Sequence, residues 1–223
     1  MKKILAIAAV LLFASTGFAQ ITLSVTEVHS TGSSNSTYAR DWFELTNFGA
    51  APVDITGWTM DDNSASFLTS VPLSGITTIN PGQSVAFIET GDLATNGPIF
   101  AAAWFGGDVP ASFVVASYNG SGVGLSSAGD QVNIFDAGGT LITTVTFGAA
   151  TAGVSFDNAA GLTGSISTLS QVGVNGGFTS FAGSEIGSPG VIAAAVPEPA
   201  SLMLIGTAIC AFAGRRLLRK KAK

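Results

Sequence analysis

The chain has 223 residues, of which 47% are hydrophobic and 10% are charged, and its formal net charge is -5. This length suits one medium-sized domain with terminal processing segments. Residues 20–195 carry thirteen acidic residues and a single base, Arg40, so this stretch alone has a net charge of -12. Nucleic-acid binding depends on Lys and Arg side chains that neutralise phosphates. The charge therefore argues against DNA and RNA as direct partners.

Residues 1–19 have the pattern of a secretory signal peptide. Lys2 and Lys3 give a positive start, residues 4–13 form an apolar run, and the Gly-Phe-Ala of residues 17–19 precedes the expected cleavage point. This pattern predicts passage through the secretion translocon and removal by signal peptidase. A buried N-terminal helix is the alternative interpretation.

The C-terminus places an uncharged apolar stretch, residues 200–214, directly before a basic tail, residues 215–223. Cys210, the only cysteine, lies in the apolar stretch, so no internal disulfide can form. A fifteen-residue helix covers roughly 22 Å, short of the roughly 30 Å of hydrocarbon, and bilayer thinning or snorkelling makes up the difference. We predict an inner-membrane helix here, with its basic end held in the cytoplasm. The bases that stop and orient it are Arg215, Arg216, Arg219, Lys220 and Lys221.

A Pro-Glu-Pro tripeptide, Pro197, Glu198 and Pro199, precedes the apolar stretch. The two prolines keep the backbone extended and remove hydrogen-bond donors, which leaves a strip that a protease can read. Residues 196–223 resemble the PEP-CTERM sorting signal of Gram-negative bacteria, because they combine this tripeptide with an apolar helix and a basic C-terminus. The resemblance implies recognition by an exosortase, a membrane-embedded protease-transpeptidase, and transfer to the cell surface or the exopolysaccharide matrix. An ordinary single-span anchor is the alternative.

Between the two terminal signals, the sequence has the period of β-strands. Ile21, Leu23 and Val25 alternate with polar residues, which predicts a strand with one buried face. Pro81-Gly82 predicts a turn, and residues 136–139 predict a hairpin loop between two strands. We find no convincing helical stripe of ten or more residues in this region. Short strands separated by turns favour an all-β sandwich.

The order of several short motifs resembles the lamin tail domain. These motifs are WFELTN (residues 42–47), VDITGWTM (53–60), INPG (79–82), GDQV (129–132) and DAGG (136–139). The resemblance implies an immunoglobulin-like β-sandwich over residues 20–150. We expect residues 151–195, the closing segment, to pack irregularly against this sandwich and to end in a short spacer. Bacterial members often end shortly after a Ser-Pro-Gly, which residues 188–190 match.

The three tryptophans suggest a carbohydrate-binding interpretation, because flat aromatic rings stack on sugars. A tryptophan in a sandwich strand more often fills the core, and we expect that of Trp42 and Trp58. Trp104 lies in a Gly- and Pro-containing stretch that we interpret as a loop. We therefore predict that Trp104 is exposed and is the residue suited to ligand contact, with exopolysaccharide as the ligand.

The sequence offers few residues and motifs that are suited to catalysis, and we predict no catalytic residues. His29 is the only histidine, and its place after the first strand is typical of a solvated side chain. Glu27 and Glu44 fall on neighbouring predicted strands, where a carboxylate pair can serve glycoside hydrolysis, yet any acidic β-domain offers such pairs. We find no nucleophile elbow, phosphate loop or zinc-ligand spacing.

Calcium is a weaker hypothesis, and no other cofactor is expected. Asp61, Asp62 and Asn63 cluster after a predicted strand, and oxygen-rich loops bind this hard cation. Their spacing differs from that of the EF-hand loop, and the same three residues also suit a plain turn.

Taken together, the sequence predicts a noncatalytic exported protein with a structural or adhesive role. A carbohydrate- or calcium-dependent binding module is the alternative, and an enzyme is the third hypothesis. The expected partners are signal peptidase and the translocon, an exosortase, the inner membrane in passing, and exopolysaccharide.

Overall fold

The computed structural model describes residues 23–31, 36–159 and 162–191. The predicted signal peptide, the Pro-Glu-Pro motif, the apolar stretch and the basic tail lie outside the described residues. Within the described part of the chain, no helix has the length and apolar character required to cross a membrane.

The described residues form a mostly β structure with one helix, α1 (Leu93–Phe105). The longer strands are β1 (Leu23–His29), β2 (Trp42–Asn47), β7 (Ser84–Glu89), β8 (Val114–Tyr118), β9 (Asp130–Phe135) and β10 (Leu141–Phe147). The shorter ones are β3 (Val53–Asp54), β4 (Thr59–Asp61), β5 (Val71–Ser74), β6 (Thr78–Ile79), β11 (Phe156–Asp157), β12 (Ser165–Ile166), β13 (Phe178–Thr179) and β14 (Ile186–Gly187).

Ten strands form a continuous hydrogen-bonded ladder in the order β11-β1-β2-β7-β8-β5-β4-β9-β10-β12. β5 links a first half, β11-β1-β2-β7-β8, to a second half, β4-β9-β10-β12. Apolar residues from both halves pack into one core, including Phe43 and Phe87 from the first half and Met60 and Ile134 from the second. The prediction of a β-sandwich is confirmed in its coarse form, because the described residues are mostly β and the two halves of the sheet enclose one core.

Two local predictions are confirmed by backbone geometry. Gly82 has a φ of +70° in the turn before β7, and the Gln83 N–H donates to the Asn80 carbonyl oxygen at 3.0 Å. Gly139 has a φ of +82° in the hairpin between β9 and β10. Glycine adopts these angles without the steric cost that a side chain brings.

The expectation of no helix is wrong, because α1 connects β7 to β8. These two strands are parallel, and a parallel pair needs a crossover connection. Asp92 caps the helix by accepting from the Thr95 N–H at 3.1 Å, and Gly106 ends it at a φ of +64°. The buried residues Gly97, Phe100, Ala103 and Trp104 lie on one helical face. Gly97 and Pro98, which have low helix propensity, interrupt this apolar pattern in the sequence.

The prediction that Trp104 is exposed is also wrong, since the side chain is 1% exposed. Its ring meets Trp42 at 5.7 Å and Phe178 at 5.5 Å between centroids, both edge to face. Because α1 turns this residue towards the sheet, no sugar can stack on it. Trp42 (0% exposed) and Trp58 (9% exposed) are buried as predicted.

β1 differs from its prediction because all seven of its residues are buried, so both of its faces are covered. The pairing with β2 shifts register between Val25 and Glu27. This irregularity at Thr26 changes the alternation, so that Val28 joins the core and Glu27 does not. Glu27 and His29 therefore lie on the face of the first half-sheet that is opposite the core. We call this the second face.

Helix α1 and the closing segment cover this second face. A separate apolar cluster there joins Trp42, Ala86 and Ile88 of the sheet to Phe100 and Trp104 of α1. From the closing segment, β11 extends the sheet beside β1, and Phe178 packs against the same cluster.

Candidate functional site

Two glutamates lie side by side under the closing segment. Glu27 of β1 and Glu44 of β2 are cross-strand partners, as the prediction of neighbouring strands implied. Each side chain is only 1% exposed. Carboxylates are almost never buried to this extent without partners, so the identity of those partners defines the site. We refer to Glu27 and Glu44 as the buried carboxylate pair.

Glu27 is held by serines of the closing segment. Ser188 donates twice, from its N–H to Oε1 at 2.8 Å and from its Oγ to Oε2 at 2.9 Å. The Ser155 hydroxyl also donates to Oε1, and Ser155 is itself 2.7 Å from the Ser170 hydroxyl. Hydrogen bonds to a buried charged group are among the stronger ones in proteins. Glu27 thus connects β1 directly to two points of the closing segment, Ser155 and Ser188, and through Ser155 to a third, Ser170.

Glu44 binds the segment two residues further on. The Gly190 N–H donates to Oε2 of Glu44 at 2.5 Å, and the Thr26 hydroxyl donates to Oε1 at 2.8 Å. Thr26 lies 2.9 Å from the Thr46 hydroxyl, which continues the polar row across the sheet. The Ser-Pro-Gly of residues 188–190 is therefore fixed at both ends by the buried carboxylate pair.

Burial changes the ionisation of both acids. Loss of solvent raises the pKa of Glu27 to about 7, although hydrogen bonds from Ser155 and Ser188 oppose the rise. The pKa of Glu44 rises to about 8, first because of burial and then because of the negative charge of Glu27. Two adjacent carboxylates resist double ionisation. The pair therefore retains at least one proton at neutral pH.

A second contact, centred on Glu185, joins the closing segment to the sheet. The Tyr38 hydroxyl donates to Oε1 of Glu185 at 2.8 Å and accepts from the Trp42 indole N–H at 3.0 Å. Burial raises the pKa of Glu185 to about 7. Glu185 is 1% exposed, so solvent has little contact with this acid as well.

His29 lies beside this contact, and the prediction from its sequence position that the side chain is solvated is wrong. Its ring is fully buried, stacks on Trp42 at 5.8 Å and places Nε2 3.3 Å from Oε1 of Glu185. Burial lowers the pKa of His29 to about 4, so the ring is neutral at pH 7. The histidine acts as an aromatic filler under the closing segment.

The fit between the closing segment and the sheet is tightest at Gly187. A methyl group added there would lie 2.7 Å from Oε1 of Glu27, 2.8 Å from the Trp104 ring and 3.0 Å from the Ser155 hydroxyl. These distances are below ordinary van der Waals contact. Only glycine allows β14 to approach both the carboxylate and the indole.

The predicted calcium residues form a turn in the structure. Asp61 is fully buried, and its carboxylate accepts from Ser64, Ser66 and Thr69. Asp62 accepts from the Ser64 N–H at 3.0 Å, and the Asn63 N–H donates to Asp130. Among the described residues, no cluster of three or more His, Cys, Asp or Glu is arranged to hold a metal ion. Both carboxylate oxygens of Asp61 and Oδ1 of Asp62 accept hydrogen bonds from the protein itself.

Within the described part of the chain, the buried carboxylate pair is enclosed, since each acid is only 1% exposed. A groove of about 260 Å³ runs between β1 and β10, but its lining comes from Ser24, Val25, residues 141–144, Asn158 and residues 162–164. Glu27 and Glu44 are not part of that lining. The arrangement binds a segment of the same chain, which the sequence could not reveal because the donors lie more than 120 residues from the acids.

Comparison with known families agrees with both resemblances. Residues 17–149 match the family model Lamin Tail Domain, and residues 195–220, which include Pro197, Glu198 and Pro199, match the PEP-CTERM protein-sorting motif. No curated protein matches the chain.

Neither matched family is catalytic. The sorting motif implies export and a membrane-anchored sorting intermediate in a Gram-negative bacterium. Since its family model covers more than half of the residues, the chain belongs to the lamin tail domain family.

Proposed function

We propose that this protein is a noncatalytic component of the cell surface or the exopolysaccharide matrix, with a structural or adhesive role. Residues 1–19 direct export, and residues 20–150 with the closing segment form the working domain. Residues 196–223 deliver that domain to an exosortase, with the basic cluster 215–223 as the membrane stop. The match to the sorting motif carries this proposal.

The fold supports a structural role in two ways. The acidic groups with the most strongly altered ionisation are enclosed and bind the chain's own closing segment. Trp104, the residue selected for sugar stacking, is part of the interior. Both observations favour a structural role over a sugar-binding module that uses Trp104 and over an enzyme that uses Glu27 and Glu44.

The experiment is a pulse-chase of the full chain in a Gram-negative host that encodes an exosortase. The wild type is expected to lose the mass of its C-terminal tail and to leave the inner-membrane fraction. A variant with Pro197, Glu198 and Pro199 all changed to Ala is expected to keep its full mass and to stay in the membrane. A wild type that also keeps its mass and stays in the membrane would establish the ordinary anchor instead.

A further inference from the structure

The point at which the chain leaves the domain is fixed. Gly190 donates to Glu44, and a methyl group at Gly190 would collide with the Phe113 ring. The next residue, Val191, is the last described one, and it packs against Gly176 of the loop 171–177. The tail therefore starts from a defined place on the surface.

Exposed apolar side chains flank this place. Val172 and Val174 belong to the loop that Val191 touches, and they are 61% and 47% exposed. On the other flank, Phe113 contacts Phe105 at 4.7 Å at the end of α1. The Phe181 ring covers Gly106 next to it and is 75% exposed. We call the surface formed by Val172, Val174, Phe181 and Val191 the exit face.

The closing segment also lacks exposed charge, in contrast to the rest of the domain. After Asp157, residues 158–191 contain one charged residue, Glu185, and it is 1% exposed. Twelve of the thirteen acids of residues 20–195 precede residue 158. An anionic bilayer repels acidic surfaces and tolerates neutral apolar ones. The exit face therefore combines exposed apolar side chains with a closing segment that has no exposed charge among its described residues, although the exposed Asp108 lies two residues from Gly106.

The connection to the membrane is short. Eight residues separate Val191 from Ala200, the start of the apolar stretch, and the nine Cα–Cα steps between these two reach about 30 Å when fully extended. Crossing the polar headgroup layer uses roughly 5–8 Å of this length. A domain of this size has a radius of gyration of about 15 Å and is therefore roughly 40 Å across. The remaining reach is shorter than the domain is wide, so the domain cannot turn its exit face far from the bilayer.

We propose that the exit face rests on the lipid surface of the inner membrane while the tail is still anchored. The proposal rests on the sorting intermediate of the proposed function. Each apolar side chain contributes little free energy of membrane binding on its own. However, the anchor makes the contact intramolecular, and a short tether supplies an effective concentration in the millimolar range.

The test uses the full chain in vesicles of phosphatidylethanolamine and phosphatidylglycerol. In a Cys210→Ala background, a nitrobenzoxadiazole probe is attached at Phe181→Cys, at Val172→Cys, or at the control Leu68→Cys. Leu68 is 94% exposed on the β4–β5 loop, whose neighbour Phe67 packs on Phe135 in the other half of the sheet. Lipids with a quencher near the headgroup report proximity to the bilayer, and near-UV circular dichroism reports the fold of each variant.

We expect the probes at 181 and 172 to lose emission and shift to the blue, while the probe at 68 is unchanged. A flexible Gly-Ser insertion after Val191 is expected to reduce the loss at 181. Equal quenching at all three positions, or none, in protein that has entered the vesicles would overturn the contact alone. A full chain that fails to enter the vesicles would instead overturn the anchored intermediate, and the proposed contact with it.

Discussion

The two faces of the first half-sheet are built on different principles. The face towards the core is apolar, with Val25, Phe43, Leu45 and Phe87 in a single cluster. The second face is apolar only where α1 packs on it. Elsewhere it carries a polar row and the buried carboxylate pair, and there it is closed by hydrogen bonds from Ser188 and Gly190. The first face gains stability from removal of apolar area, which is not directional. The second face gains specificity, because only a segment with correctly placed donors satisfies its acids.

The largest expected effect is on the core face. Phe43 is fully buried and stacks on Phe87 at 5.4 Å between ring centroids. Phe43→Ala is expected to reduce the free energy of unfolding by about 3–5 kcal/mol at every pH. Phe43→Leu is the matched control and should cost less. Denaturant titration of the full chain in detergent measures both, and a loss below about 1 kcal/mol for Phe43→Ala would contradict the assignment of this face.

The next effect is a dependence on pH that belongs to the second face. Folding raises the pKa of Glu27 to about 7, of Glu44 to about 8 and of Glu185 to about 7. The folded state therefore binds more protons than the unfolded state above the ordinary carboxyl pKa. The contribution of these three acids to stability is therefore fully present below the ordinary carboxyl pKa and is lost as the pH rises towards 8. Each excess proton changes stability by about 1.4 kcal/mol per pH unit. His29 works in the opposite direction only at acidic pH, because folding lowers its pKa to about 4.

Denaturation at intervals from pH 6 to pH 9 measures this slope. The double variant Glu27→Gln/Glu44→Gln keeps the size of both side chains and cannot ionise. Its stability should vary less with pH than that of the wild type, with a residual slope from Glu185. Parallel curves for the two proteins would show that the carboxylate pair is not the source.

The smallest of the three effects concerns the attachment of the closing segment to the sandwich. Gly187→Ala adds a methyl group that would collide with Glu27 and Trp104, at an expected cost of about 1–3 kcal/mol. Gly164→Ala is the matched control, since a methyl group there meets nothing within 4 Å. Limited proteolysis should cut the closing segment of Gly187→Ala first and leave Gly164→Ala intact. Equal resistance of the two variants would contradict the tight fit at β14.

The core face could be predicted from the sequence because its signals are local. The WFELTN stretch became β2, and the Pro81-Gly82 turn and the hairpin after β9 appeared where turn chemistry places them. The second face could not be predicted because its cause is distant. The shift at Thr26 sends Glu27 to this face. The partners that enclose Glu27 lie 128 to 161 residues further along the chain.

Helix α1 shows a different limit. Its start signal at Asp92 and its stop signal at Gly106 are present in the sequence, but Gly97 and Pro98 lower the helix propensity between them. The parallel pairing of β7 and β8 requires a crossover, and tertiary packing of Phe100 and Trp104 overrides the weak propensity. The misplaced Trp104 followed directly from the missed helix.

The most direct measurement of the central claim is amide hydrogen exchange at Ser188 and Gly190. If their N–H groups donate to Glu27 and Glu44, both amides should be protected to the same degree as those of β2. In a Glu27→Ala/Glu44→Ala variant that protection should fall, while the amides of β9 and β10 keep theirs. Exchange of Ser188 and Gly190 at the rate of an exposed loop in the wild type would contradict the claim that buried acids hold the closing segment.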